Sequence, residues 1–451
     1  MQTDQVMIPD SDTFENDLLD RANFVRNLKA ILIGGDKGIV LGLNGAWGTG
    51  KSTTVNFLQK ELIDSGHVVI VLNAWADDYI TDPLISIIAS LVADENFKSV
   101  ITNKNLVSRL TEIGKNVIGL AASLGVSRLT RGQLSPDELT RIFEVKTDYS
   151  EILNHYIEEK NSLTELRNIL EEVSENLQNN EGKKLIIIVD ELDRCKPTYA
   201  VALFERIKHI LEIENLRVLL SFDQNQLEAT MKKHYGSSID SNRYLEKMFD
   251  IIINLPSANL AKLLKKTAKT LELSSFRIPE LERGGDNSVD EFLGMLLTLL
   301  NAMNASAREL ERTLTRIKFL LSRENGLHVD SVFAVVLLIL KNQNPDLFQK
   351  IKNETSTFDE IDKIFNKNPT KSRYWNGSFA NYVETLYYIK QDSKLDKDDL
   401  TSMSIESQAY QELPDQIKLK RQRMQSYINP IREDRFGSLS EMANAVDFII
   451  Q

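Results

Sequence analysis

The chain has 451 residues, 42% hydrophobic and 26% charged, with 54 Lys and Arg against 65 Asp and Glu for a net charge of -11. That length suits two or three domains, the composition is ordinary for a soluble globular protein, and the acidic balance excludes a general nucleic-acid-coating protein while leaving room for a local basic patch. The single cysteine, Cys195, excludes an internal disulfide and fits a reducing compartment. Residues 1–20 carry no Lys or Arg and lack the basic start and apolar core of a signal peptide. No run reaches the ~20 apolar residues of a membrane helix. Residues 117–126 and 331–340 come nearest and are too short. A cytoplasmic protein without a membrane contact is expected.

In chain order, residues 1–14 read as a polar tail. Residues 15–33 have helical spacing, with Leu18, Leu19, Phe24, Val25, Leu28 and Ile31 as the buried positions. An apolar run at 38–43 predicts a buried strand. It leads into Gly45-Ala46-Trp47-Gly48-Thr49-Gly50-Lys51-Ser52. Residues 53–62 then take helical spacing through Val55, Leu58 and Leu62. A second strand is expected at 67–72. From 83 to about 180 the pattern is helical, at 84–94, 105–122, 136–144 and 148–177, and reads as a long insertion. Strands resume at 185–190, 216–222 and 251–255, with a helix at 198–213.

Apolar strands separated by helices predict an α/β fold: a parallel sheet of about five strands covered on both faces. After residue 256 the pattern is helical almost to the end. Four parts are therefore expected: an N-terminal helix and linker (1–30), the sheet domain with its insertion (31–256), a small helical domain (257–325) and a C-terminal helical domain (326–451). Loops are expected near 282–290, 342–346, 366–374 and 430–438. No internal repeat is visible.

The segment 45–52 fills every specified position of G-x-x-x-x-G-K-[ST] between a predicted strand and a predicted helix, which is the context a P-loop requires. Its glycines let successive N–H groups turn toward phosphate oxygens, and the helix that follows presents its positive end to the same anion. Gly45, Trp47, Gly48, Thr49, Gly50, Lys51, Ser52 and Thr53 are the expected nucleotide-binding residues. Lys51 can reach the β- and γ-phosphates, and Ser52 can bind Mg²⁺. A purine nucleoside triphosphate with Mg²⁺ is the ligand this predicts.

Asp190 ends the strand at 185–190 and is the second expected Mg²⁺ residue. Glu191, one residue on, can polarise a water for attack on the γ-phosphorus. Arg194 can supply positive charge to the transferring phosphoryl, or can pair with Asp193 to fix the loop. Asp223 follows the strand at 216–222, where it can face the γ-phosphate or cap the next helix. Cys195 reads as a small buried side chain. The five histidines are scattered without metal-ligand spacing. Residues 416–435 hold Lys418, Lys420, Arg421, Arg423, Arg432 and Arg435 with Tyr427 and Phe436 nearby; this fits a nucleic-acid contact or, more commonly, a solvated helix face. Hydrolysis, transfer to a small-molecule acceptor and a nucleotide-gated scaffold all remain open.

Taken together, the P-loop with its internal Trp47 resembles the KAP family of P-loop NTPases. So do Asn73-Ala74-Trp75, the run Asp190-Glu191-Leu192-Asp193-Arg194-Cys195, Phe222-Asp223, Tyr244-Leu245-Glu246-Lys247-Met248-Phe249 and Asp20-Arg21-x-x-Phe24. The family often has Asp where this chain has Glu191. The resemblance spans about residues 15–325. It implies an ATPase of the class with an added sheet strand and a catalytic Glu, distantly related to AAA and STAND proteins. Many members carry membrane helices between the P-loop and the metal acid; this chain has an insertion there but no membrane-length run, and so resembles a soluble branch. Bacterial and plasmid members are often linked to phage exclusion or defence, which implies partner or effector proteins. AAA-like relatives place an arginine of the helical lid near the γ-phosphate, which makes Arg308 the candidate here and implies a homo-oligomer. Arg312 and Arg316 continue its row, which reads equally as an ordinary charged helix face paired through Glu309, Glu311 and neighbours.

Overall fold

The computed structural model describes residues 12–35, 37–80, 82–100, 106, 108–110, 112–113, 149–208, 213–273, 288–321, 330–365, 383–386 and 438–450. The helix α1 (Ala22–Ile33) precedes β1 (Ile39–Asn44), α2 (Lys51–Asp64) and β2 (Val68–Asn73). Then come α3 (Pro83–Ala93), α4 (Glu95–Val100), α5 (Tyr149–Glu181), β3 (Leu185–Asp190), a 3₁₀ turn (Leu192–Arg194) and α6 (Pro197–Lys208). β4 (Leu216–Phe222), α7 (Gln224–Tyr235), α8 (Ser241–Glu246) and β5 (Ile251–Asn254) follow. The strands form one parallel sheet in the order β2-β3-β4-β1-β5.

β3 and β4 are buried at every position, as central strands covered on both faces must be. Side chains alternate between the faces. Ile186 and Ile188 join Val25, Leu28 and Leu32 of α1 and Phe57, Leu58 and Leu62 of α2 in one core. Leu185, Ile187 and Val189 face the other core with Leu84 and Ile87 of α3, Leu166 and Leu170 of α5, and Phe204 of α6. The described ends of the expected insertion are thus part of the sheet's own cover. Residues 106, 108–110 and 112–113 are helical, and the pattern at 136–144 lies outside the described residues.

Helix α1 begins at Ala22, seven residues later than its spacing suggests. The Asp17 carboxylate accepts the N–H groups of Leu19, Arg21 and Ala22, and Asp20 sits at φ 60°, so the chain turns here before the helix starts. Ile31 is 38% exposed and Leu32 takes the buried place expected of it. Ile31 stands six residues after Val25 and has rotated off the core stripe, whereas the seventh residue returns to it.

Arg217 on β4 is wholly buried. Its guanidinium donates to the carbonyls of Leu32, Gly34, Gly35, Lys37 and Leu216, closing the C-terminal end of α1 and the turn into β1. A dry carbonyl left without a donor costs ~1–3 kcal/mol. Arg217→Met is therefore expected to lose at least ~3 kcal/mol of stability, read as a lower urea midpoint of the full chain. An unchanged midpoint would show that these carbonyls find other donors.

Residues 258–451 form the second compact unit. Its elements are α9 (Leu260–Thr270), α10 (Ser288–Ala302), α11 (Ala307–Leu321), α12 (Ser331–Gln343), α13 (Pro345–Lys352), α14 (Phe358–Phe365) and α15 (Leu439–Ile450). The division expected at 325 falls inside this unit, because α11 packs directly on α12. Helix α12 is buried from Val332 to Leu340 and forms the centre of the unit, with Asp447 of α15 accepting from Lys341 and Lys352. The expected loop at 342–346 contracts to Asn344. Its N–H donates to Leu340 O (2.7 Å), its Oδ1 accepts from Leu347 N (3.1 Å), and Pro345 opens the next helix. The last three residues of the expected loop at 282–290 belong to α10. Residues 282–287, 366–374 and 430–437 lie outside the described residues.

Candidate nucleotide site

In a parallel sheet the loops at the carboxyl ends of the strands share one edge, and ligands bind there. β1 delivers residues 45–50, β3 delivers 190–195, β4 delivers Asp223 and β2 delivers Asn73 to that edge. β4 lies between β1 and β3, so the P-loop strand and the Asp190 strand are separated by one strand.

The loop from Gly45 to Gly50 turns through Gly48 (φ 79°) and Gly50 (φ 92°), conformations that side-chained residues rarely adopt. Lys51 opens α2 and is buried. Its Nζ donates to Gly45 O (2.5 Å) and stands 3.8 Å from Asp193 Oδ2. Trp47 Nε1 donates to the same Asp193 oxygen, while Asp193 Oδ1 is buried without a hydrogen-bond partner. Burial lowers the pKa of the Lys51 ammonium, and the charges of Asp193, Asp223 and Asp190 oppose that shift. Three carboxylates from two strand ends therefore converge on one cation. Ser52 and Thr53 follow it in the first turn of α2, both half-buried.

Asp190 is buried, and its Oδ1 accepts the N–H of Glu191 (2.9 Å). Glu191 occupies the left-handed region at φ 61°, a strained place for a residue with a Cβ. Asp20, Asn215, Glu272, Asn304 and Glu354 share that sign of φ. Arg194 Nη1 lies 2.7 Å from Glu191 Oε1, and Asn73 Nδ2 donates to Glu191 Oε2 at 3.3 Å. The ion pair entertained between Asp193 and Arg194 does not form. Arg194 turns to Glu191 and lies over the Trp75 ring, 5.5 Å from its centroid, while Asp193 turns to Lys51. Asp223 caps α7, its Oδ1 accepting from Asn225 N (3.1 Å). Cys195 is buried, and burial pushes its thiol up to about 12.

The residues fit a nucleotide-bound Mg²⁺. Among the described residues there is no cluster of three or more metal-ligating side chains. Mg²⁺ is ordinarily held by one or two protein oxygens together with substrate phosphates, and Ser52 with Asp190 supplies that number.

The model of the KAP family P-loop domain matches residues 21–323. The chain belongs to the KAP family of P-loop NTPases. The match runs from the buried Arg21 through the sheet and past Arg308. Nucleotide binding is the property this membership supports. No curated protein matches the chain. Among solved structures, it is similar to the ORC2 protein of Aeropyrum pernix, solved as ADPNP–ADP complexes, at 15% identity over 91% of this chain and 95% of that one, with a TM-score of 0.31. A likeness that slight carries no residue roles across.

Within this KAP-family chain the structure brings Lys51, Asp190, Glu191, Arg194 and Asp223 to one sheet edge. Arg308 lies on α11, in the second unit. The basic stretch at 416–435 lies outside the described residues. Asn73, Asp193 and Arg21 were not singled out as site residues from the sequence. All three were visible only as parts of motifs or, for Asp193, as an alternative partner of Arg194. Among the described residues no helix is long and apolar enough to cross a membrane.

Proposed function

We propose that this chain binds ATP with Mg²⁺, hydrolyses it, and uses the cycle as a switch in bacterial anti-phage defence alongside partner proteins. The observation that carries hydrolysis is Glu191: a residue one past Asp190, on left-handed backbone, whose carboxylate is oriented by Arg194 and Asn73. A group held this firmly suits the task of taking a proton from an attacking water. Lys51 exchanges Gly45 O and Asp193 for phosphate oxygens. Arg194 acts first by fixing Glu191; its charge reaches a transferring phosphoryl only if that ion pair opens. Asp223 adds negative field at Lys51 while capping α7. When bound, Mg²⁺, held by Ser52 and Asp190, neutralises charge on the phosphate oxygens.

Phosphate release under single-turnover conditions, with and without candidate acceptors, tests the reading. Acceptor-free release supports an ATPase. Release that needs an acceptor points to a kinase, and ATP binding without release points to a nucleotide-gated scaffold. The defence role is supported by the family alone. Phage plating on cells expressing the parent or Glu191→Gln tests it, and equal plaque counts from both and from empty cells would remove it.

Arg308 is proposed to meet the γ-phosphate, in its own chain or in a neighbouring copy, and so to link ATP to self-association. Arg308, Arg312 and Arg316 follow one another at single-turn spacing on α11. Glu309 closes a capping box with Ser306 at the start of this helix (2.6 and 3.3 Å). Arg308→Ala is expected to slow hydrolysis ~10²-fold with little change in ATP affinity. Sedimentation with a non-hydrolysable analogue should show a larger species than without it. Normal turnover in the variant removes the arginine role, and a monomer under both conditions removes the assembly role.

A further inference from the structure

Arg21 is fully buried just ahead of α1, although a charged residue at a helix start is ordinarily solvated. Its guanidinium is not paired with a carboxylate oxygen in any described contact. It donates instead to two backbone carbonyls: Thr49 O in the phosphate-binding loop (Nη2, 3.0 Å) and Pro256 O just past β5 (Nη1, 2.5 Å). Its Nε is buried without a partner. Burying a cation this way is unfavourable unless its contacts matter. The segment before it is anchored too. Asp17 takes three backbone N–H groups, and Leu19 packs so closely on Gly50 that a Cβ there would strike its Cδ1.

The Thr49–Gly50 peptide is trans, as are all described peptides. Its carbonyl and the Gly50 N–H therefore point in opposite directions within one rigid plane. We propose that Arg21 is a positioning residue for the phosphate-binding loop: by drawing back the Thr49 carbonyl, it aims the Gly50 N–H toward the phosphate side. Leu19 holds the other flank of the same glycine. The second carbonyl, at Pro256, lies one residue before the first unit ends. One cation thus fixes both the phosphate loop and the point where the chain leaves the sheet. This rests on the nucleotide-binding reading above and adds to it a residue that touches no phosphate itself.

The test is calorimetric titration of the full chain with ADP, in the parent, Arg21→Met, Arg21→Lys and Arg217→Met. Arg217→Met is the control: it removes an equally buried guanidinium that also donates to backbone carbonyls, but at the other end of α1. A misdirected N–H loses a charge-assisted bond to phosphate, so Arg21→Met is expected to raise the ADP Kd at least about tenfold. Arg21→Lys, whose single ammonium cannot span both carbonyls, should fall between Arg21→Met and the parent, and it carries the test if Arg21→Met does not fold. Arg217→Met should melt earlier yet bind ADP within about twofold of the parent. Folded Arg21 variants that bind ADP like the parent would overturn the proposal, as would an equal loss in Arg217→Met. A parent chain that does not bind ADP would instead overturn the nucleotide reading, and that result is seen before any variant is made.

Discussion

Glu191→Gln is expected to bind ATP within a few-fold of the parent and to hydrolyse it ~10²–10⁴-fold more slowly, the range a positioned general base contributes. Glutamine has nearly the shape of glutamate and still offers an oxygen to Arg194 or Asn73, but it cannot take up a proton. The hydrogen bonds and ion pair of the Glu191 carboxylate go to Arg194 and Asn73 and not to Lys51 or the glycine loop, so the substitution leaves the polar contacts of the phosphate cradle in place. The backbone at φ 61° is fixed by the turn and not by the side-chain charge, because Asp190 Oδ1 holds the Glu191 N–H and Arg194 N donates to Glu191 O (3.1 Å). Rapid-quench phosphate release and equilibrium ATP binding on the same preparation separate the two quantities. Unchanged release would sink the assignment of Glu191 as base. Lost binding would mean that Glu191 supports the loop instead.

The strands were legible because each is a short, mainly apolar run bounded by polar residues: 185–190 and 216–222 match β3 and β4 residue for residue. The phosphate loop was legible because its chemistry demands particular residue types at fixed spacing. Strand order was not in the pattern, since pairing across hundreds of residues leaves no local trace. The family resemblance, not the periodicity, anticipated an added strand, and β4 lies between β1 and β3.

The pairing inside 190–195 was not legible for a physical reason. Adjacent residues such as Asp193 and Arg194 point away from each other, whereas residues three apart eclipse in a 3₁₀ turn. That brings Arg194 onto Glu191 and leaves Asp193 for Lys51. Asn73 and Arg21 escaped for a different reason. Their partners lie 118 residues away for Asn73, and 28 and 235 residues away for Arg21, and nothing in a polar side chain's neighbourhood names so distant a contact.

Lys51→Ala should lose both nucleotide and stability, and a second substitution can separate the losses. The Lys51 side chain is 9% exposed and that of Asp193 is 1% exposed, with 3.8 Å between ammonium and carboxylate. Deleting one partner of a buried pair leaves an uncompensated charge and typically costs ~3–5 kcal/mol. Here Trp47 Nε1 still donates to Asp193, which moderates the loss. Lys51→Ala/Asp193→Asn removes the stranded charge, so its urea midpoint should recover toward that of the parent. ATP binding should not recover. Each charge-assisted hydrogen bond is worth ~1.5–3 kcal/mol, so losing the ammonium should raise the ATP Kd at least ~100-fold in the single and the double variant alike. A double variant that binds ATP like the parent would show that the loop amides grip the phosphates unaided. A single variant as stable as the parent would show that Asp193 does not depend on Lys51 for its charge, and the exchange of Asp193 for phosphate at Lys51 would then have no resting partner to leave.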